Sequence, residues 1–403
     1  VTLLSLAVSA SATEWQQLGP RALAMGGAGV ALPQGAQSAY WNPAQLGLSD
    51  NPSGVQIPIG AHMGITGPVL KGANDLNDLG KKCPGAGCSD SDVQNALNEL
   101  NAPNDGIRGD LGTGAGFKMG RASVFVNNFA WVGAKPIIDM AHNTAANLNQ
   151  NTSQLRLTGI DVTEFGVAYG HEIPHVPGLN AGLALKGMVG RVGFYGQTVV
   201  DEDLAFDKFT KNTKDSFQPG VDLGLLWDVN HTLTNAVWKP RIGFSARNIN
   251  NPRFKNTDAA IAAGLPSKYS IQGGLRMGVA VSPLHFWNIA ADADLTKNLT
   301  AVEGVKSQQV GLGTEVNVFN RSWLNIPLRV GLAKNIADSG SKTALSGGLG
   351  FNFIHVNLDV GAQVSPGRVE TQSQGKSQKL PTETSVSAQL ALLFGGQAST
   401  PAQ

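Results

Sequence analysis

Ile271–Val281 reads IQGGLRMGVAV. Ile271, Gly273, Leu275, Met277, Val279 and Val281 occupy one face of an extended chain. Gln272, Gly274, Arg276, Gly278 and Ala280 occupy the other. A period of two with one apolar face is a strand signature. Neighbouring stretches repeat it. Val221, Leu223, Leu225 and Trp227 alternate with Asp222, Gly224, Leu226 and Asp228. Val310–Val318 and Ile354–Ala362 behave in the same way. In a transmembrane barrel the apolar face meets lipid and the small or polar face meets the lumen.

Fourteen such segments are expected, near residues 55–62, 111–119, 122–133, 160–172, 179–194, 218–228, 239–248, 269–282, 286–297, 307–319, 324–335, 343–353, 354–364 and 383–394. An even count suits a single-chain bacterial barrel. The connections alternate long and short. The odd ones include 63–110, 134–159, 195–217 and 249–268; the even ones include Gly120-Arg121 and Pro283 to His285. Barrels of this class have long outer loops and short periplasmic turns. The pattern therefore sets the orientation, with both chain ends periplasmic. Helices are expected in two outer loops, at Ser89–Asn101 and Ile137–Leu148. Asp201–Lys214, the most charged stretch, reads as a solvated loop.

Composition agrees. The 403 residues include 50 Gly, only 15% are charged, and the formal net charge is +1. That charge is far from the basic footprint of a nucleic-acid binder. Beyond the first dozen residues no apolar run approaches the roughly 18 needed for a helical span. The start, VTLLSLAVSASA, reads as the end of a secretory signal, with Ala10-Ser11-Ala12 as an A-x-A cleavage signature. The expected divisions are a signal remnant at 1–12, an N-terminal plug at 13–54, a fourteen-stranded antiparallel barrel at 55–394 and a periplasmic tail at 395–403. The expected location is the bacterial outer membrane. Cys83 and Cys88, in CPGAGC, read as a small disulfide loop; free thiols or a metal pair are the alternatives. A metal site would need further ligands, and none has suitable spacing.

Gly19–Leu48, GPRALAMGGAGVALPQGAQSAYWNPAQLGL, breaks the alternation. It is too small-residued for a strand and too glycine-broken for a helix. Gly26, Gly27 and Gly29 permit close backbone approach, Trp41 offers one large anchor, and Asn42-Pro43 is a turn signal. An ordinary loop or a first strand with structural glycines reads it as well as a plug does. Gly26-Gly27-Ala28-Gly29 lacks the preceding strand and the G-x-G-x-x-G spacing of a dinucleotide loop.

Arg21-Ala22, the glycine run, Ala36–Ala39 and Asn42-Pro43-Ala44 together resemble the N-terminal segment of FadL-type outer-membrane transporters of hydrophobic compounds. They also resemble the related TraF-type conjugal transfer and PorV-type secretion barrels. The resemblance spans some thirty residues. It implies that this segment is a hatch in the lumen, with Asn42, Pro43 and Ala44 at the hatch. It also implies diffusive uptake of a hydrophobic small molecule, of the long-chain fatty acid or hydrocarbon class. The alternative is a structural or partner-binding barrel of a conjugation or secretion apparatus.

Asp222, Arg247, Arg276, Asp292, Asp294, Glu315, Arg329 and Asp359 fall on expected lumen faces, with Glu164 and Lys186. A charge on the lipid face would cost roughly 2–4 kcal/mol at the midplane. Inside, these residues read as a salt-bridge network between plug and wall, or as a path for ligand. Asn127-Asn128 interrupts the alternation and reads as a bulge or wall opening. No G-x-S-x-G or H-E-x-x-H motif is present. The sequence therefore points to no enzyme, no cofactor and no nucleic-acid partner. The expected partners are lipid or detergent, a hydrophobic ligand and periplasmic or surface proteins.

Overall fold

The computed structural model describes residues 14–198, 206–232, 238–373 and 376–394, apart from residue 103. The expected signal remnant and the tail after Phe394 lie outside those residues.

Strands β1 (Ser53–Thr66), β2 (Gly106–Met119), β3 (Ala122–Ile137), β4 (Gln154–Glu172), β5 (Leu179–Thr198), β6 (Thr213–Asp228) and β7 (Arg241–Arg247) follow one another round a wall. The hairpin β8 (Arg253–Lys255) and β9 (Lys268–Ser270) stands apart from it. β10 (Gly274–Leu284) and β11 (Trp287–Asp294) continue the wall. A second hairpin, β12 (Asn298–Leu299) and β13 (Lys306–Ser307), precedes β14 (Gln309–Asn320), β15 (Leu324–Asn335), β16 (Ala344–Phe353) and β17 (Val356–Val364). A third hairpin, β18 (Arg368–Ser373) and β19 (Lys376–Pro381), leads to β20 (Glu383–Phe394). β20 pairs with both β17 and β1, closing a fourteen-stranded antiparallel barrel. Closure satisfies every edge strand, as a membrane wall requires.

Each expected strand falls on a barrel strand. The observed β2, β4 and β6 start several residues earlier, at Gly106, Gln154 and Thr213. Those extensions project beyond the apolar band, where one face no longer meets lipid and the two-residue period fades.

Outward residues such as Ile59, Val126, Val167, Leu185, Leu223, Leu328, Leu358 and Leu390 are exposed, while their neighbours in sequence point inward. Aromatic residues gather at the strand ends that carry the short turns. Phe117 meets Phe394 at 5.9 Å between ring centroids, and Trp323 lies 6.1 Å from Phe319 and 6.2 Å from Phe353. Such girdles mark the membrane–water boundary.

The outer half of the lumen is capped from above. Phe254, Leu265, Tyr269 and Ile271, from the β7–β10 connection, pack on Ile160, Val162, Met188, Val192 and Phe194 of the inner wall. Ile271 is therefore a core residue of this cap rather than a lipid-facing one.

The long β1–β2 connection holds α3 (Val69–Ala86) and α4 (Asp90–Leu100), after two short helices in the N-terminal segment, α1 (Pro20–Ala24) and α2 (Ser38–Trp41). Ser89 caps α4 through a reciprocal box with Asp92. Cys83 lies within α3, a helix the glycine-rich sequence does not announce; Cys88, just beyond it, is disulfide-bonded.

The helix expected at Ile137–Leu148 does not form; only a 3-10 turn occurs, at Leu148–Gln150. Asp139 captures the local donors instead. It accepts from the amides of Ala141 and Thr152, the Thr152 hydroxyl and His142 Nδ1. Side-chain bonds of this kind compete with helix. His142 in particular holds the Asp139 carboxyl well below the usual carboxylate range.

An epitope inserted at Gly340, exposed in the β15–β16 connection, should be labelled on intact cells. One in the Gly120-Arg121 turn should be labelled only after permeabilisation. The reverse pattern would overturn the orientation.

Candidate functional site: a plug bonded to the inner wall

Glu14 to Pro52 runs through the lumen and touches the wall on all sides. α1 meets β15, β16, β17 and β20; the 3-10 turns Gly35–Gln37 and Pro43–Gly47 meet β1–β3 and β4–β6. Nearly all of its residues are buried. Small side chains make this possible. Gly26 sits at φ +68, and a Cβ there would lie 2.2 Å from the Leu332 carbonyl oxygen. Gly29 leaves room for the Trp41 ring, which a Cβ would approach to 2.7 Å. Gly27 also has positive φ.

Asp292 is the clearest latch. Its Oδ2 accepts the amides of Gly29 at 2.8 Å and Val30 at 3.0 Å. Ser346 holds the next turn, accepting from the Gly26 amide and donating to the Ala24 carbonyl, both at 3.0 Å. Asn42 is fully buried and makes three bonds. Its Oδ1 accepts from the Ala44 amide, capping the turn at Pro43; its Nδ2 donates to the carbonyls of Val30 and Leu225, each at 3.1 Å. Trp41 donates to the Leu18 carbonyl at 2.9 Å and Tyr40 to that of Gln16 at 2.6 Å.

Apart from Asp292, the inward charges expected from the sequence form three groups. Lys186 lies 2.9 Å from Glu164 and 2.8 Å from Asp222, while Arg247 reaches Glu164 at 3.1 Å and Asp222 at 3.8 Å. Arg276 pairs with Asp294 at 2.7 Å. Arg329 bridges Glu315 at 2.7 Å and Asp359 at 2.5 Å, and Arg21 of the plug joins Glu315 at 2.7 Å. Buried charges persist only when paired and hydrogen-bonded in this way.

The first two groups also touch the plug through aromatic faces. The Arg247 guanidinium lies 3.8 Å from the Tyr40 ring centre, and that of Arg276 lies 4.8 Å from the Trp15 centre. Sequence reading missed Arg21 as an ion-pair partner, although an arginine within an apolar run needs a buried acid. It also missed Ser346, whose serine has no distinguishing context.

Asn127 and Asn128 are not a bulge, and the wall does not open there. β3 pairs through both positions with β2 and β4 without a register shift. Asn127 points inward and donates to Glu164; Asn128 points outward and donates to Asp161 at 2.7 Å and Thr163 at 3.1 Å. The alternation holds, with a polar residue on each face. Asp161, Arg191 and Asp215 then form an outward row across β4, β5 and β6, Arg191 bonding Asp215 at 2.8 Å. The row marks the upper edge of the apolar band.

At that height the wall carries an apolar cavity of about 670 Å³. Outward Met63, Leu111 and Val132 line it together with inward His62, Asp110 and Trp131, and Phe209 of the β5–β6 connection overlies it. A polar vestibule of about 820 Å³ lies beside the plug at the short-turn mouth of the barrel. Among the described residues no His, Cys, Asp or Glu group is placed to hold a metal ion.

Asp292→Ala would leave two buried amides without an acceptor, costing about 1–3 kcal/mol each. Amide exchange at Gly29 and Val30 should accelerate in this variant, whereas Asp292→Asn, which keeps an acceptor oxygen, should stay near wild type. Unchanged exchange in Asp292→Ala would show that Asp292 does not hold the plug.

The barrel has several structural counterparts. The toluene transporter TbuX of Ralstonia pickettii superposes with a TM-score of 0.50 at 15% identity, covering 93% of this chain and 98% of that one. The deltaS2 mutant of the monoaromatic hydrocarbon channel TodX gives 0.53 at 11%, covering 94% and 100%. The monoaromatic hydrocarbon channel CymD gives 0.51 at 14%, covering 96% and 100%. At these identities the likeness establishes the fold. No curated protein matches the sequence. The family described as "F plasmid transfer operon, TraF, protein" matches residues 39–294, well over half of the chain. The chain therefore belongs to this TraF family, and its fold is a closed fourteen-stranded antiparallel β-barrel of the kind seen in TbuX, TodX and CymD.

Proposed function

We propose that this barrel is an outer-membrane channel for diffusive uptake of hydrophobic small molecules, of the long-chain fatty acid or hydrocarbon class, with the N-terminal plug as its gate. The observation that carries this reading is the apolar cavity at the outer edge of the membrane band, where Met63, Leu111 and Val132 point outward and Phe209 overlies them. A compound partitioned into the outer leaflet reaches that cavity without crossing the loops. Desolvation favours it there by roughly 25 cal/mol per Å² of apolar surface buried. Below, Glu14–Pro52 fills the lumen, so passage inward requires the plug to shift. The polar vestibule then leads to the periplasm. TbuX, TodX and CymD are described as channels or transporters for toluene or monoaromatic hydrocarbons, and their shared fold supports the same use here.

A second reading has its own support. The family is described by a plasmid transfer operon, and exposed Trp238 and Leu284 rim the periplasmic vestibule. On that reading the barrel binds a periplasmic component of a transfer or secretion apparatus and carries no flux.

A tether separates the two. An ideal Cβ at Gly116 of β2 lies 3.1 Å from Ala36 Cβ of the plug, with no atom nearer, a small relaxation short of the roughly 3.5–4.5 Å span of a disulfide. In proteoliposomes, wild-type protein should speed uptake of labelled hydrophobic compounds over protein-free vesicles. The double variant Ala36→Cys/Gly116→Cys should lose that uptake on oxidation and regain it on reduction. Uptake that never exceeds the protein-free rate across a compound panel rejects the channel. Uptake insensitive to the tether rejects the plug as gate.

A further inference from the structure

A small cavity of about 50 Å³ lies inside the barrel, between the start of the plug and the inner wall. Its carboxylates are Glu14 of the plug, Asp110 of β2 and Glu383 of β20. Positive neighbours are fewer. Arg108 lies 2.7 Å from Glu383 and 3.4 Å from Glu14, and His62 lies 2.6 Å from Asp110. Even with the imidazole protonated, three carboxylates share two cations. The neutral groups on the lining repeat the imbalance. Oε1 of Gln16, Gln17 and Gln363 have no hydrogen-bond donor, against one orphaned donor, Trp15 Nε1. Gln16 and Gln363 are only 5% and 8% exposed. The Gln16 Nε2 donates to the Ala130 carbonyl, so its oxygen is the end left free. Buried carboxylates and amide oxygens both call for a charged donor here.

The chain itself carries one to this place. Thr13, just outside the described residues, is bonded to Glu14, and linked residues have Cα atoms about 3.8 Å apart. The A-x-A signature Ala10-Ser11-Ala12 ends immediately before it.

We infer that the chain is cut between Ala12 and Thr13 and that the new α-ammonium of Thr13 sits in this cavity. A processing peptidase hydrolyses the bond: water adds across it, leaving a carboxylate on Ala12 and an amine on Thr13 that takes up a proton. The ammonium brings three N–H donors and the missing positive charge to Glu14, Asp110 and Glu383. A water needs roughly 10–15 Å³ of such space, so an amino group of similar size fits, whereas twelve further residues do not. Processing thereby completes the contact that seats the first residues of the plug. The inference needs no ligand flux and stands apart from the channel reading.

The test uses protein purified from outer membranes of cells that make the full precursor. Its N-terminal sequence should begin at Thr13; any other start overturns the inference. Acylating reagents attack the free amine, and neighbouring carboxylates favour the ammonium. Acylation of the α-amine at about pH 7.5 should therefore run at least about tenfold slower in the folded barrel than in urea, and Asp110→Asn/Glu383→Gln should recover about threefold or more of that rate. Equal rates in barrel and urea overturn the placement. Inserting Gly-Ser between Ala12 and Thr13 keeps the cleavage signature and carries the ammonium two residues away. The insertion should lower the melting temperature by about 2 °C or more. In the Asp110→Asn/Glu383→Gln background it should cost less than about half as much, because the coupled partners are gone. Heat-modifiable gel mobility confirms that each variant is a folded barrel. An insertion that costs nothing, or costs the same in both backgrounds, overturns the ion pairing.

Discussion

A plugged barrel must give every charge on its inner wall a hydrogen-bonding partner, because the plug excludes the water that would otherwise solvate it. This constraint organises the molecule. Glu164, Asp222, Asp294, Glu315 and Asp359 each meet a lysine or arginine, and Asp292 meets two plug amides instead. The plug supplies Arg21 and the aromatic faces of Trp15 and Tyr40. Breaking one partner of a buried pair typically costs 3–5 kcal/mol, so wall and plug are conditional on one another.

Glycine sets the distances over which this pairing works. Gly26 and Gly29 let the plug backbone touch wall carbonyls and its own tryptophan. The wall answers with glycines of its own: a Cβ at Gly313 or Gly331 would fall within 2.4 Å of the Met25–Gly26 backbone. The high glycine content of this chain is thus the complement of a close-packed lumen.

Much of this was legible in the sequence. The fourteen strands could be read because lipid on one side and lumen on the other impose a strict period of two, as in Leu275, Met277 and Val279 against Arg276, Gly278 and Ala280. The alternation of long and short connections leads to an expected orientation, with both chain ends periplasmic. Legibility ended where that two-sided environment ended. The upper parts of β2, β4 and β6, the three small hairpins and α3 answer to packing among loops, which has no simple period. Asn128 misled because a lipid-face residue at the band edge is free to be polar and to bond Asp161. The wall cavity was invisible: it joins Met63, Leu111, Val132 and Phe209, which are distant in sequence and unremarkable one by one. His62 and Asp110 likewise become a pair only through the β1–β2 register.

The central claim is that residues 14–52 seal an otherwise open barrel and are held there by the inner wall. Ion conductance in planar bilayers tests it most directly, comparing the intact chain with one lacking residues 14–52, each first shown to be a folded barrel. The account predicts a closed intact protein and a shortened one with steady, open-pore conductance. Equal conductance from the two would contradict it.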